Sequence, residues 1–150
     1  MKRSLHKNNS FTPRTFQLVC HSDPKEVMKV EGFLKKMNKV VKLDDGTFYR
    51  LLVATTEAVN NGIIHGNKSN AEKLVTVLCI VKPQMLIVKV EDEGRGFNPG
   101  KVPNPLDEEH LLKESGRGIF LMKSMMDKVR FRFTKHGTLV EMSINLKRLQ

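Results

Sequence analysis

Apolar and polar residues alternate along five stretches of this chain and recur at three-to-four spacing along three others. Phe16, Leu18 and Cys20 take every second position of a first strand-like run. Leu74 to Val81 and Met85 to Asp92 form two more, joined by Lys82-Pro83-Gln84 as a hairpin. Val129, Phe131 and Phe133 alternate against Arg130 and Arg132, and Val140, Met142, Ile144 and Leu146 follow a tight His136-Gly137 turn as a second hairpin.

Helical spacing links Val27, Val30, Phe33, Leu34, Met37 and Val41. Asp23-Pro24-Lys25-Glu26 combines an acceptor side chain, a proline at the first helical position and a glutamate three residues after the cap. A helix is therefore predicted to start there and to run to about Lys39. A second is predicted from Asp44 or Asp45, with Phe48, Leu51, Leu52, Thr55, Val59, Gly62 and Ile63 on one side. A third follows Ser115-Gly116-Arg117-Gly118 and carries Ile119, Met122, Met125 and Met126.

The order β-α-α-β-β-α-β-β lacks the strand-helix alternation of a doubly wound sheet. It predicts an α+β, two-layer sandwich with a mixed five-stranded sheet and three helices on one face. Residues 15–150 read as a single domain, and residues 1–14 as a disordered or loosely ordered basic arm. The stretch 98–115, with Pro99, Pro103 and Pro105, is a connection of the length that belongs to a lid or a binding loop.

Composition narrows the classes. A chain of 150 residues can bury roughly two thirds of its unfolded surface. No apolar run approaches the ~20 residues that span a bilayer, and the basic arm has no apolar h-region, so a cytoplasmic protein without a membrane partner is expected. Cys20 and Cys79 lie inside strand-like runs without the paired spacing of metal sites or disulfides, and read as buried free thiols. The net charge of +10 admits nucleic acid, phosphates or an acidic protein surface. Its basic residues are spread along the chain without an aromatic ladder or a helix-turn-helix pattern, so direct nucleic-acid binding is not expected.

Three segments carry candidate chemistry. In Val90 to Phe97, VEDEGRGF, Asp92 ends a strand and is followed by Gly94 and Gly96. A carboxylate there can accept from an exocyclic amino group, and residues without a Cβ let a flat ring lie against bare backbone, as adenine would require. The bland alternative is a strand followed by a glycine turn. On the second predicted helix Glu57 and Asn61 lie one turn apart, with His65 a further turn along, away from the apolar stripe. Such a row is either a solvated face or a carboxylate, a carboxamide and an imidazole presented to one ligand. Gly116, Arg117 and Gly118 open the third helix, leaving amide N–H groups bare at the positive end of its dipole, where phosphate is favoured. The alternative is a hinge before a core helix, and the methionines that follow are core.

Together these segments, EAVNNGIIHGN, EDEGRGF and SGRGIFLMKSMMD, resemble the N box and two glycine boxes of the GHKL (histidine-kinase-like) ATPases. The similarity is closest to their small anti-sigma factor serine/threonine kinase branch, of the RsbW and SpoIIAB type, and covers about Phe16 to Leu146. PNPLDEEHLLKESGRG is similar to that branch's lid, although Asn104 stands between Pro103 and Pro105 where relatives often carry aspartate. The resemblance implies the Bergerat fold, ATP and Mg²⁺ as cofactors, Glu57 as general base and Asn61 as magnesium ligand. It further implies Asp92 as the adenine-reading carboxylate, Gly94 and Gly96 beneath the base, Gly116, Arg117 and Gly118 around the phosphates, and Thr138 supporting adenine through its hydroxyl. His65 and Asn67 would brace the site.

By the same resemblance the chain would phosphorylate an anti-sigma factor antagonist protein, sequester a sigma factor, and be capable of forming a homodimer. Two other readings use the same residues. One is an ATP-binding switch that captures a partner without transferring phosphate. The other is the catalytic ATP-binding module of a sensor histidine kinase, which is disfavoured because the residues before Glu57 already supply the first strand and helix and leave no room for a phosphoacceptor hairpin.

Overall fold

In the computed structural model, residues 12–94 and 116–146 are described. Residues 1–11 of the predicted arm, the lid at 98–115 and Gly96 lie outside them, while Arg14, placed in the arm from sequence, is already the first residue of a strand.

Strand β1 (Arg14–His21) leads into a 3-10 turn over Pro24–Val27. Asp23 caps that turn, its Oδ1 accepting from the Lys25 amide at 3.0 Å, and Pro24 supplies a preset φ where no N–H is needed. The chain then enters α1 (Met28–Val41), which buries Val30, Leu34 and Met37 and ends at Lys42 in the left-handed region, φ 56°. Asn38 closes this end, taking the Lys42 amide on its carbonyl at 2.9 Å and the Leu43 amide on its side-chain Oδ1 at 2.7 Å. Helix α2 (Asp45–Asn61) begins at Asp44, whose carboxylate accepts from the Thr47 amide at 3.2 Å.

Strands β2 (Leu74–Val81) and β3 (Met85–Asp92) form the first hairpin. A helix over residues 116–125, α3, precedes β4 (Lys128–Phe133) and β5 (Thr138–Asn145). The strand order is β1-β2-β3-β5-β4, and the fold is the predicted α+β sandwich of a five-stranded sheet and three helices. One detail differs from the expected mixed sheet: all four pairings are antiparallel. Strands β3 and β4 do point the same way, but β5 folds back between them, so no two parallel strands are neighbours.

Alternation decides which face is dry. Val75, Val77, Cys79 and Val81 on β2, Leu86, Val88 and Val90 on β3, and Val140, Met142 and Ile144 on β5 are all buried. They form one core with Leu51, Ala54, Ala58 and Val59 of α2 and with Ile119 and Met122 of α3. Asp92 continues the inward-facing series of β3, so the sheet delivers a carboxylate to the end of its own core. Both cysteines are buried and outside any disulfide, and burial pushes the Cys79 thiol up to about 12.

Leu51 is fully buried where α2 meets the sheet. Leu51→Ala is expected to lower the unfolding free energy by about 2 to 5 kcal/mol in urea titration, the usual cost of a buried cavity of that size. A loss below about 1 kcal/mol would mean that this contact is not core.

Candidate functional site: a buried carboxylate and a polar helix seam

Asp92 stands at the end of β3, 6% exposed. Its Oδ1 accepts two backbone amides, from Gly94 at 2.9 Å and from Thr138 at 3.1 Å. Three glycines make this approach possible. A Cβ on Gly66 would overlap Oδ2 of Asp92, one on Gly94 would overlap the carbonyl oxygen of Gly66, and one on Gly137 would overlap the carbonyl oxygen of Asp92. Backbone from the turn that follows α2, from the end of β3 and from the β4–β5 turn is thus drawn around one carboxyl group.

Asn67 braces the same corner. Fully buried, it donates Nδ2 to Ser22 Oγ at 2.7 Å and to the Leu74 carbonyl at 3.0 Å, and accepts the Glu93 amide on Oδ1 at 2.8 Å. Every hydrogen-bonding position of its carboxamide except one lone pair is occupied, so the chain just after Asp92 is fixed from below. Ser22 in turn donates to the Lys73 carbonyl at 2.7 Å.

Between Asn61 and Asn67 the α-helical bonding stops and a π turn, Gly62–Gly66, takes over, closed by the Asn67 amide on the Gly62 carbonyl at 2.8 Å. His65 therefore does not lie one α-helical turn beyond Asn61, as spacing predicts; it sits half-buried in this wider turn. A Cβ on Gly62 would stand 3.5 Å from Cβ of Asp92. The residue next to Asn61 is thereby packed against the carboxylate corner.

The second half of the site lies where α2 meets α3. Gly118 is buried, and a Cβ there would come within 2.9 Å of Glu57 Oε2 and 3.4 Å of both Asn61 amide atoms. The structure thus places Glu57, Asn61 and Gly118 at one seam, and Asp92, Gly94 and Thr138 at the adjoining corner. Arg117 is exposed and Gly116 half-buried at the same end of α3. Thr138 meets Asp92 through its backbone amide, a contact that the expectation for its hydroxyl does not include.

Asn61 Nδ2 is buried without a hydrogen-bond partner among the described residues. A polar atom in that state costs on the order of 1–3 kcal/mol, which a ligand can recover. A half-turn of the carboxamide presents Oδ1 to the same opening, and an amide oxygen beside a carboxylate is an oxygen donor set that suits magnesium. Among the described residues no cluster of three or more His, Cys, Asp or Glu could cage a metal by itself. Magnesium held here would take most of its ligands from phosphate oxygens and water, its usual habit.

Two neighbours were not legible as site residues from sequence: Gly137, which reads only as a turn former, and Ser22, for which no local signal exists.

With this geometry in place, the class is defined: the chain belongs to the histidine kinase-like ATPase domain family, whose model matches residues 20–144. Among curated relatives it is 40% identical over 76 residues to an anti-sigma F factor of Bacillus cereus (strain G9842), covering 49% of this chain and 52% of the relative. The same identity and coverage relate it to an anti-sigma F factor of Bacillus mycoides (strain KBAB4). The chain thus spans about half the length of the curated relatives it matches. A histidine kinase domain of Erythrobacter litoralis EL346 blue-light activated histidine kinase superposes with a TM-score of 0.50 at 17% identity, over 80% of this chain and 60% of that one, a likeness of fold. Among the described residues no helix is long and apolar enough to cross a membrane.

Burial raises the Asp92 carboxyl above its ordinary value of 3.8, against the pull of the Gly94 and Thr138 amides, with Glu91 adding to the rise and Lys73 opposing it. The folded state therefore holds this proton more tightly than the unfolded chain does. The stabilising contribution is complete below pH 3.8 and is lost as pH climbs through the raised folded value. Measured against Asp92→Asn, which cannot titrate, the wild type should lose unfolding free energy as pH rises from below 3.8 through the raised folded value. A difference that is flat, or that grows with pH, would show that the carboxylate is not desolvated.

Proposed function

We propose that this chain binds Mg-ATP and acts as an ATP-dependent protein serine/threonine kinase of the anti-sigma type. The observation that carries the proposal is the meeting of a buried, amide-held carboxylate with a carboxylate–carboxamide seam through the single packed residue Gly62. One end has the chemistry to grip a base, the other the chemistry to handle phosphates. Family membership and the anti-sigma F factor relatives support the same reading.

In this reading Asp92 accepts a hydrogen bond from the exocyclic amino group of adenine. Gly94 and Gly96 leave room for the ring, Thr138 supports it, and His65 braces the site. Gly116, Arg117 and Gly118 face the phosphates, and Asn61 offers its side-chain oxygen to magnesium. The metal, when bound, neutralises charge on the transferring phosphoryl group. Glu57 accepts the proton of a serine or threonine hydroxyl as that oxygen attacks the γ-phosphorus and the bond to the β-phosphate oxygen breaks. Phosphoryl transfer is mostly positioning and electrostatics, so a base, one oxygen ligand and directed amides suffice.

The proposed acceptor is an anti-sigma factor antagonist protein and the proposed sequestered partner a sigma factor, in the cytoplasm. The chain's charge of +10 favours an acidic partner surface.

Calorimetric titration with Mg-ADP tests the pocket without needing either protein partner. Wild type should bind, and Asp92→Asn should weaken binding by about 100-fold or more, because its amide would turn a donor toward the adenine amino group. Equal affinity in the two proteins would overturn the assignment of the base-binding end. Glu57→Ala should retain Mg-ADP binding and lose transfer of label from γ-labelled ATP to a hydroxyl-bearing protein acceptor. Undiminished transfer would remove Glu57 from the role of base.

A further inference from the structure

The face of α2 that carries Glu57 and Asn61 also carries Arg50, seven residues before Glu57 and so two turns back along the same stripe. Arg50 does not point to open solvent. Its Nε donates to the carbonyl of Met125 at 2.7 Å, and its terminal nitrogen lies 3.4 Å from Oδ1 of Asp127.

Met125 is the last residue of α3, and its carbonyl has no partner within the helix, because the residue four further on already belongs to β4. A cation there meets the negative end of the helix dipole through a short, charge-assisted bond. The contact to Asp127 matters less: both side chains are 38% exposed, and at 3.4 Å such a pair contributes little. Asp127 itself is anchored, donating its amide to the Ser143 carbonyl at 2.9 Å and accepting the Asn145 amide on Oδ2 at 2.6 Å.

Helices α2 and α3 are thus joined at two places. At one, Arg50 holds the Met125 carbonyl; at the other, Gly118 lies against Glu57 and Asn61. The two fastenings are seven residues apart in each helix, about 10 Å along both axes, so the helices run side by side in opposite senses with matched spans. A helix is stiff over that length, and a shift at its far end moves its near end. The carboxylate corner touches α2 through Gly62 but not α3: the described groups around Asp92 come from Gly62, Gly66, Gly94, Gly137 and Thr138.

We infer that Arg50 is a positioning residue for the phosphate end of the site, holding α3 at the depth that brings Gly118 and its neighbouring amides onto Glu57 and Asn61. The inference rests on the nucleotide reading of the site and deepens it by separating control of phosphate binding from control of base binding. Arg50 touches neither nucleotide nor acceptor, and its effect passes through α3.

The test compares wild type, Arg50→Met and Arg50→Lys, each carrying residues 1–150, titrated with Mg-ATP by calorimetry and with adenosine by ligand-observed NMR, with unfolding midpoints taken alongside. In Arg50→Met, Mg-ATP affinity should fall about tenfold while adenosine affinity stays within about twofold, the size of effect that loss of one charge-assisted bond can transmit. Arg50→Lys, which keeps the charge but not the planar fork, should lie between. If Arg50→Met proves unfolded, Arg50→Lys carries the same comparison. A loss shared equally by adenosine and Mg-ATP would reduce Arg50 to a general stabiliser, and no loss for either would make its bond idle. Wild type that takes up neither ligand would bring down the nucleotide reading, and the positioning role with it, whereas wild type that binds both beside an unchanged variant would sink the role of Arg50 alone.

Discussion

The burial of one carboxyl group constrains more of this fold than any other interaction. A carboxylate removed from water must be supplied with donors or it will not stay ionised. Asp92 obtains two, the amides of Gly94 and Thr138, from segments more than forty residues apart in the chain. Both arrive only because backbone can come closer than any side chain would allow. Residue type at Gly66, Gly94 and Gly137 follows from that, since a Cβ at each would collide with Asp92 or with backbone beside it. The desolvation that raises the Asp92 carboxyl is the remaining cost.

Helix α2 carries that corner to the rest of the molecule. Its apolar stripe, with Leu51, Ala54, Ala58 and Val59 buried, fixes its rotation over the sheet. Rotation then decides what the flanking stripe can reach. Arg50, Glu57 and Asn61 meet α3, and Gly62 beyond them meets Asp92. The π turn after Asn61, Gly62–Gly66, continues that contact, since Gly66 at its end also lies against Asp92. Packing energy is spent along one side of the helix, and the chemistry is arranged along the side next to it.

Much of this could be read from residues alone, and the exceptions share a cause. Strands and helices were legible because burial on one face writes a period into the sequence, and Asp23-Pro24 and Asp44 announced their caps by local chemistry. The antiparallel character of the whole sheet was not legible, since it depends on β5 inserting between β3 and β4, a choice made by pairing between distant residues. The π turn escaped for a different reason: spacing arithmetic assumes a constant rise and rotation, and Gly62 to Gly66 break that assumption. Gly137 was recognisable as a turn former but not as a wall of the Asp92 corner, and Arg50 belongs to no motif in the sequence. In each case the function of the residue lies in what it approaches, and no local pattern encodes that. Gly96 and the predicted lid fall outside the described residues.

The choice of a carboxylate over a neutral acceptor has a consequence for what the corner can hold. An ionised carboxyl accepts hydrogen bonds and donates none. A purine that turned a carbonyl oxygen toward Asp92 would set acceptor against acceptor in a site with little water to intervene, whereas one that turned an amino group there would satisfy both partners. Buried sites built around one hydrogen-bonding sense reject the opposite sense far more strongly than apolar pockets reject a change of size. The fixed direction of the group sharpens this: with Oδ1 held by two amides and Oδ2 lying against Gly66, the carboxyl cannot rotate to accommodate the wrong edge. On the nucleotide reading proposed above, selection among purines would reside in this rigid corner, and the seam between α2 and α3 would be left to respond to the number and charge of the phosphates.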